Sequence, residues 1–300
     1  MKILLLGPHG QVGRALREHL QDYDLVPLDR ETGGDLADLD GLHRTLVQHH
    51  PQVIINAAAY TAVDRAEREA EQARLINAEA PRVMAEAARH LQARLIHYSS
   101  DYVFDGSGTR PWREDDPTGP LNVYGESKLA GEHAIRAIWE NHLILRVSWV
   151  HHPQGRNFIR SILKLAQERE RLRIVADQHG APTPARLIAR VTRELLARPE
   201  IRGTYHLAPR GETTWHGIAC RVVRRATERG LPLRLDTDAI DPIPSEAYPT
   251  PAPRPKNSRL DTRALQALIP WPLPPWEAGV DDTVEALLKQ PHQPHGNPIP

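Results

Sequence analysis

A tyrosine and a lysine four residues apart, Tyr124 and Lys128, carry the clearest chemical potential in this 300-residue chain. On a helix, positions i and i+4 share one face, one turn apart. A phenol ionises near pH ~10, too high for ready proton exchange at neutral pH. A neighbouring ammonium favours the phenolate and draws that value toward the working range. The pair therefore reads as an acid–base group with its tuning charge. A hydroxyl stands upstream, Ser100, in the run His97-Tyr98-Ser99-Ser100-Asp101-Tyr102-Val103-Phe104. At the C-terminal end of a strand, it is placed to hydrogen-bond a substrate carbonyl oxygen beside the tyrosine. Ser99 is its rival, since strand alternation turns only one of the two toward a cleft. An ordinary amphipathic-helix pair would lack this third element.

A second constellation suits an anion. Gly7-Pro8-His9-Gly10-Gln11-Val12-Gly13 follows an apolar run and opens a helical stretch. Glycines at this G-x-x-G-x-x-G spacing permit a tight turn and let the backbone approach a pyrophosphate on the helix N-terminus. Alone, the trio is weak evidence, since a bare strand-to-helix turn can use the same glycines. Its position after the first strand favours a dinucleotide. Asp29 and Arg30 close the second apolar run. Asp there suits a ribose 2′-OH and NAD; Arg suits a 2′-phosphate and NADP. Both are present, so cofactor choice stays open between NADH and NADPH.

These groups need a frame. Short apolar runs at 3–6, 25–28, 52–56, 94–98 and 143–147 alternate with helical spacing at 11–20, 42–49, 66–89 and 124–138. The alternation predicts an α/β fold, a Rossmann-like doubly wound parallel sheet. Its ligand crevice lies at the C-terminal strand edges, where Gly7, Asp29, residues 57–61, residues 99–101, Ser148 and Trp149 fall. Beyond residue 150 the pattern loosens. Helices are expected at 157–169, 187–197, 215–227 and 280–288, with a strand at 204–207. Residues 241–255 are proline-dense and read as an extended loop. The division expected is a dinucleotide-binding domain at 1–150, with segments near 170–210 returning to it. A smaller substrate-binding domain follows at 151–289, then a frayed tail at 290–300.

Composition narrows the classes. Lys+Arg and Asp+Glu each number 38, so the formal net charge is zero. That argues against nucleic-acid or membrane-surface partners, which favour a basic excess. One cysteine, Cys220, excludes an internal disulfide and a Cys-based zinc site. No run approaches ~18 uninterrupted apolar residues. The first apolar run is too short for a signal peptide. A cytoplasmic protein is expected. The 16 histidines are scattered without H-E-x-x-H spacing, so no metal ligands are assigned.

Several of these segments together resemble the extended short-chain dehydrogenase/reductases, and more closely the dTDP-4-dehydrorhamnose reductase family among them. They are residues 7–13, 56–67, 99–106, 124–128, 146–150 and 254–261, in family order over nearly the whole chain. The alanine-rich stretch at 56–67 and the Arg254-Pro255-Lys256-Asn257-Ser258-Arg259-Leu260-Asp261 signature are specific to this branch; the glycine loop is not. The resemblance implies NAD(P)H-dependent reduction of the C4 ketone of a dTDP-sugar. It implies Ser100, Tyr124 and Lys128 as the catalytic triad. Gly10, Gln11 and Val12 would touch the cofactor pyrophosphate. Asp29, Asp35, Leu36, Ala59, Tyr60, Thr61 and Tyr98 would line the rest of the cofactor site, with Tyr124 and Lys128 at its reactive end. Ser100, Asp101 and Trp149 would meet the sugar. Two departures stand out: Ser100 replaces the usual Thr, and Tyr60 the usual His. Some relatives hold Mg²⁺ near a dimer interface; no ligands for it can be placed here, and a homodimer remains an expectation from resemblance alone.

The resemblance leaves rivals. A related reductase, dehydratase or epimerase would use the same Tyr–Lys pair, although dehydratases carry a Glu after the Asp and Ser100-Asp101-Tyr102 lacks it. A non-catalytic regulatory subunit, of the type that binds methionine adenosyltransferase, keeps the fold and glycine loop. Two residues also keep double readings. Arg254 offers a planar fork to phosphate oxygens or clamps the last helix to the body. Trp149 stacks on substrate or packs in the core. Trp271 and Trp276, among prolines, read as packing.

Overall fold

A computed structural model describes residues 1–289; the tail expected at 290–300 lies outside the described residues. The first half runs β1 (Lys2–Leu6), α1 (Gln11–His19), β2 (Asp24–Leu28), α2 (Leu39–His49), β3 (Val53–Asn56), α3 (Val63–Ala66), α4 (Ala70–Arg74), α5 (Ala80–Leu91), β4 (Arg94–Ser100), α6 (Val123–Ile138) and β5 (His142–Val147). The second half runs α7 (Phe158–Glu168), β6 (Leu172–Val175), β7 (His179–Gly180), α8 (Ala185–Leu196), β8 (Gly203–Leu207), β9 (Thr213–Thr214), α9 (Trp215–Glu228), β10 (Ile240–Ile243), α10 (Arg263–Gln266) and α11 (Trp276–Leu288).

Six strands form one sheet in the order β2-β1-β3-β4-β5-β8, with every pairing parallel. A parallel sheet is covered on both faces, so its strands are apolar on both sides. In β1, Ile3 and Leu5 join one core with Leu16, Leu187 and Val191, while Leu4 and Leu6 join the other with Leu46, Met84 and Ile135. Topology puts the site at one edge. Leu6 pairs with Asn56, and Asn56 with His97, so the ends of β1, β3 and β4 lie side by side.

The chain leaves the sheet after β5 and returns through α8 and β8. While Leu265 of α10, Ile269 and Leu273 return to the sheet core, the excursion and most later elements build a second lobe. Its core joins Ile162 of α7, Val222 of α9 and Val280 of α11. Two small sheets, β6 with β10 and β7 with β9, belong to it.

Three expectations change. The stretch 66–89 is not one helix. A π-helical turn at Leu75–Glu79 separates α4 from α5, and Pro81 stands in the first turn of α5. The turn brings Asn77 to 1% exposure, where its side chain finds partners on two other segments. The proline-dense segment 241–255 is not wholly a loop. Ile240–Ile243 pairs in parallel with Leu172–Val175, on an edge that tolerates Pro242. The last helix also begins earlier than expected, at Trp276.

Beneath the sheet edge, Arg146 of β5 meets Glu132 of α6 in a two-pronged pair, Nε to Oε1 at 2.9 Å and Nη2 to Oε2 at 2.7 Å. Both side chains are buried, and Phe104 lies 5.0 Å from the guanidinium. Burial pushes the Glu132 carboxyl up, yet Arg146 outweighs it and holds the acid below its ordinary range. Such a pair is weak evidence of net stabilisation, but breaking it strands a buried charge. Arg146→Met is expected to lower unfolding free energy by about 3–5 kcal/mol in urea titrations. Adding Glu132→Leu should restore much of that loss. A single variant as stable as the wild type would show that the pair does not couple helix to sheet.

Candidate active site

The crevice begins at the glycine loop. Gly7 holds φ +74°, and a Cβ there would lie 2.7 Å from Ala58 N. A Cβ on Gly13 would lie 2.0 Å from Gly7 O. Both positions exclude larger residues because backbone packs on backbone. Gly10 differs: a Cβ there would meet nothing closer than 3.5 Å. Gly10 is the N-cap of α1, with no side-chain cap and no acidic residue in the first turn. The turn containing Gln11, Val12 and Gly13 is therefore a cradle that fits an anionic group.

At the end of β2, Asp29 is heavily engaged. Its Oδ1 accepts from Glu31 N at 3.0 Å, Thr32 N at 3.1 Å and Thr32 Oγ1 at 2.9 Å. Its Oδ2 lies 3.0 Å from His9 Nε2 of the glycine loop. The His9 contact, then Thr32, holds the carboxyl below its usual range. Arg30 is exposed and makes no ion pair among the described residues. Asp35 caps Ala37 N at 3.0 Å, and Leu36 is core.

Residues 57–61 form the neighbouring wall. Ala59 is half-buried and Thr61 exposed. Tyr60 donates its phenol to Glu69 at 2.6 Å, while its backbone is gripped by Asn77 of the π-turn. Asn77 also donates to Ser127 Oγ at 3.0 Å, and Ser127 donates to Tyr124 O at 2.7 Å. One buried amide thus ties the wall to α6. Sequence reasoning missed Asn77; its signal was a polar, weak helix former inside an alanine-rich stretch.

Ser100 ends β4. Its Oγ accepts from Tyr102 N at 3.1 Å and donates to Asp101 Oδ1 at 3.2 Å. Tyr124 stands in the first turn of α6, whose N-cap Asn122 accepts from Gly125 N. Burial pushes its phenol up to about 12, against the nearby Ser100 hydroxyl, which favours the phenolate. Lys128 is 2% exposed and donates from Nζ to Tyr98 O at 2.7 Å. Burial pulls it down to about 8, against the attraction of Glu132. The sequence expectation of a phenol lowered by its lysine is therefore corrected. In this structure one ammonium hydrogen goes to a backbone carbonyl, and desolvation governs the tyrosine. Ser99 is buried like Ser100, and its hydroxyl lies on the Glu132 side without a hydrogen-bond partner among the described residues.

Other candidates fall at different distances from this centre. Tyr98 sends its ring into the core and its phenol to Thr192 Oγ1 at 2.7 Å, leaving only its carbonyl at the site. Trp149 holds φ +48°, unusual for a bulky side chain, and stacks on Trp215 at 4.2 Å. Arg254 donates to Asp64 Oδ2 at 2.8 Å and to Ala252 O at 2.8 Å, so its fork is paired. It also lies close enough to Tyr102 to lower that phenol electrostatically, although burial raises it overall. Downstream, Asn257 donates to Ser107 O and Arg110 O, and Ser258 N donates to His179 O. The 254–261 segment therefore staples the loop after β4 to the second lobe. Trp276 is core, and Trp271 packs against core with Arg190 over its ring at 3.8 Å.

Asp101 is 2% exposed, and burial pushes its carboxyl up to about 7. A folded pKa above the unfolded value contributes stability that is complete below pH ~4 and lost as pH rises through about 7. Asp101→Asn should therefore gain thermal stability relative to the wild type at pH 8, but not at pH 4. Melting curves at both values check this. An equal shift at both would mean that Asp101 is ionised without penalty.

Among the described residues no cluster of three or more His, Cys, Asp or Glu is arranged to hold a metal, and no helix is long and apolar enough to cross a membrane. The model of the RmlD substrate binding domain family matches residues 1–289. The dTDP-4-dehydrorhamnose reductase of Escherichia coli (strain K12) is 46% identical, over 96% of this chain and 98% of that protein. A dTDP-4-dehydrorhamnose reductase structure from Clostridium acetobutylicum superposes with TM-score 0.88 at 30% identity, covering 96% of this chain and 100% of that one. The Bacillus anthracis str. Ames dTDP-4-dehydrorhamnose reductase, solved in complex with NADP, gives TM-score 0.86 at 31% identity, covering 94% and 99%.

Proposed function

This chain belongs to the RmlD substrate binding domain family, and on that basis we infer that it is an NAD(P)H-dependent oxidoreductase that reduces the C4 ketone of dTDP-4-dehydro-L-rhamnose to dTDP-L-rhamnose. The observation that carries the reading is the placement of Tyr124 and Ser100 together at the sheet edge beside the glycine cradle. A bound nicotinamide cofactor supplies the hydride. The chain supplies position and protons. Ser100 offers its hydroxyl to the ketone oxygen. Tyr124, whose phenol is protonated at neutral pH and is held so by burial, gives its proton to the forming alkoxide, which is more basic than a phenolate. Lys128 holds the nicotinamide ribose, and its ammonium offsets the negative charge of the phenolate that Tyr124 becomes.

The cofactor end follows from the cradle. The first turn of α1, with Gly7, Gly10, Gln11, Val12 and Gly13, holds the pyrophosphate. Asp35, Leu36, Ala59, Tyr60 and Thr61 form the adenosine wall. Asp29 is occupied by His9 and its own loop, while Arg30 is exposed without an ion pair among the described residues. That balance supports use of both NADH and NADPH, with Arg30 toward a 2′-phosphate. The sheet domain holds the cofactor, and the second lobe closes over the sugar near Asp101 and Trp149. Arg254 acts through its pair with Asp64, which sets the spacing of the two lobes.

The direct test presents dTDP-4-dehydro-L-rhamnose with each reduced cofactor and follows nicotinamide absorbance. Stoichiometric oxidation is expected. An epimerase would show turnover without net consumption, and a regulatory subunit none with any nucleotide-sugar. Tyr124→Phe should lower kcat by about 10²–10⁴ with NADPH affinity intact; near-normal kcat would remove the tyrosine from its role. Arg30→Ala should weaken NADPH relative to NADH by roughly 1–3 kcal/mol, read as the ratio of the two KM values. An unchanged ratio would place Arg30 in solvent.

A further inference from the structure

Lys128 has a buried neighbour that the reading above leaves unused. His97 of β4 is 1% exposed, and its Nε2 lies 3.4 Å from Lys128 Nζ. Its other ring nitrogen, Nδ1, lies 3.0 Å from Asn56 Nδ2. Asn56 is itself 1% exposed, and its amide orientation is set, because Oδ1 accepts from Ala58 N at 3.1 Å. Asn56 therefore donates from Nδ2, and His97 must accept at Nδ1. A neutral imidazole that accepts at Nδ1 carries its hydrogen on Nε2. That N–H faces the lysine.

We propose that Asn56 and His97 are positioning residues for the reaction: by fixing the Nε2–H tautomer, they deny Lys128 an acceptor on the sheet side and leave its remaining N–H groups for the cleft. The argument is one of donors and acceptors. The ammonium has three hydrogens and spends one on Tyr98 O. With the opposite tautomer, Nε2 would accept a second and draw the lysine down under the sheet edge. With the tautomer imposed here, a donor meets a donor, and only the cleft offers partners. The same opposition disfavours the charged forms of both groups. Burial, then Lys128, holds His97 well below its usual range, and the lysine lies below its own. The other groups around the lysine are Glu132, which pulls it back toward the charged form and is itself paired to Arg146, and Tyr124 one turn earlier. The role assigned to Lys128 rests on the reductase reading, but the tautomer does not.

The test separates the two. In the full chain labelled with ¹⁵N-histidine, long-range ¹H–¹⁵N correlation reports the protonated nitrogen of His97 directly, assigned by its absence in His97→Asn. Nε2–H is expected; Nδ1–H in the wild type overturns the proposal whatever the enzyme does. Only five lysines are present (Lys2, Lys128, Lys164, Lys256, Lys289), so labelled lysine Cε shifts give the Lys128 titration without recourse to activity. His97→Asn supplies an amide oxygen, and Asn56→Asp turns the imidazole to its Nε2-accepting form. Each should move the Lys128 midpoint upward by about one pH unit. In kinetics each should move the alkaline limb of kcat the same way and raise KM for the reduced cofactor, with KM for the dTDP-sugar unchanged. A variant that loses thermal stability while the lysine midpoint stays fixed assigns the pair to packing and overturns it. Turnover of no nucleotide-sugar, with the tautomer and midpoint as expected, overturns the reductase reading and leaves the pair standing.

Discussion

The catalytic helix owes its seat to a buried charge. Glu132 lies one turn beyond Lys128, and it grips Arg146 of β5 with both carboxylate oxygens. Removing either partner leaves an ion in a desolvated place, so α6 cannot slide along the sheet without large penalty. The helix that carries Tyr124 is thereby registered against the strands that end in Ser100 and Val147. Glu132 also faces the lysine and partly offsets the desolvation that lowers it. One carboxylate thus sets both the position of the site and part of its electrostatics.

Much of this was legible in the sequence. Strand runs such as residues 3–6 are apolar on both faces, and only a parallel sheet between two helical layers buries them. The Tyr124–Lys128 spacing and the G-x-x-G-x-x-G loop likewise lie in short segments whose local geometry is nearly obligatory. What stayed hidden depends on partners far apart in the chain. The π-turn at Leu75–Glu79 exists because Asn77 finds Tyr60 and Ser127, and no local pattern encodes that. The upward shift of the Tyr124 phenol reflects how deeply the helix is seated, whereas spacing reveals only that a lysine is near. Arg254 looks like a phosphate ligand by type, and only its approach to Asp64, 190 positions earlier, pairs it.

The two lobes meet through residues that are already committed to one another. Trp149 leaves β5 in a left-handed conformation and stacks on Trp215 of α9. The Asn257 amide and the Ser258 backbone tie the 254–261 segment to the loop after β4 and to His179. These contacts hold the crevice between a sheet edge that positions the acid and a lobe that faces it. Strain at Trp149 is tolerated because the stack and the adjacent Gly180, where a Cβ would lie 2.9 Å from the indole, leave the ring one seat.

The late arrival of β8 has a consequence for synthesis. β5 is complete at Val147, but its outer neighbour is not made until residues 203–207. Over the intervening stretch, a nascent chain presents a six-residue strand edge with unpaired backbone groups, the kind of surface that recruits strands from other chains. The lobe built between them must be translated, and its excursion folded back, before that edge can close. A substitution in α7 or α8 that slows this return lengthens the interval during which the sheet edge stays open.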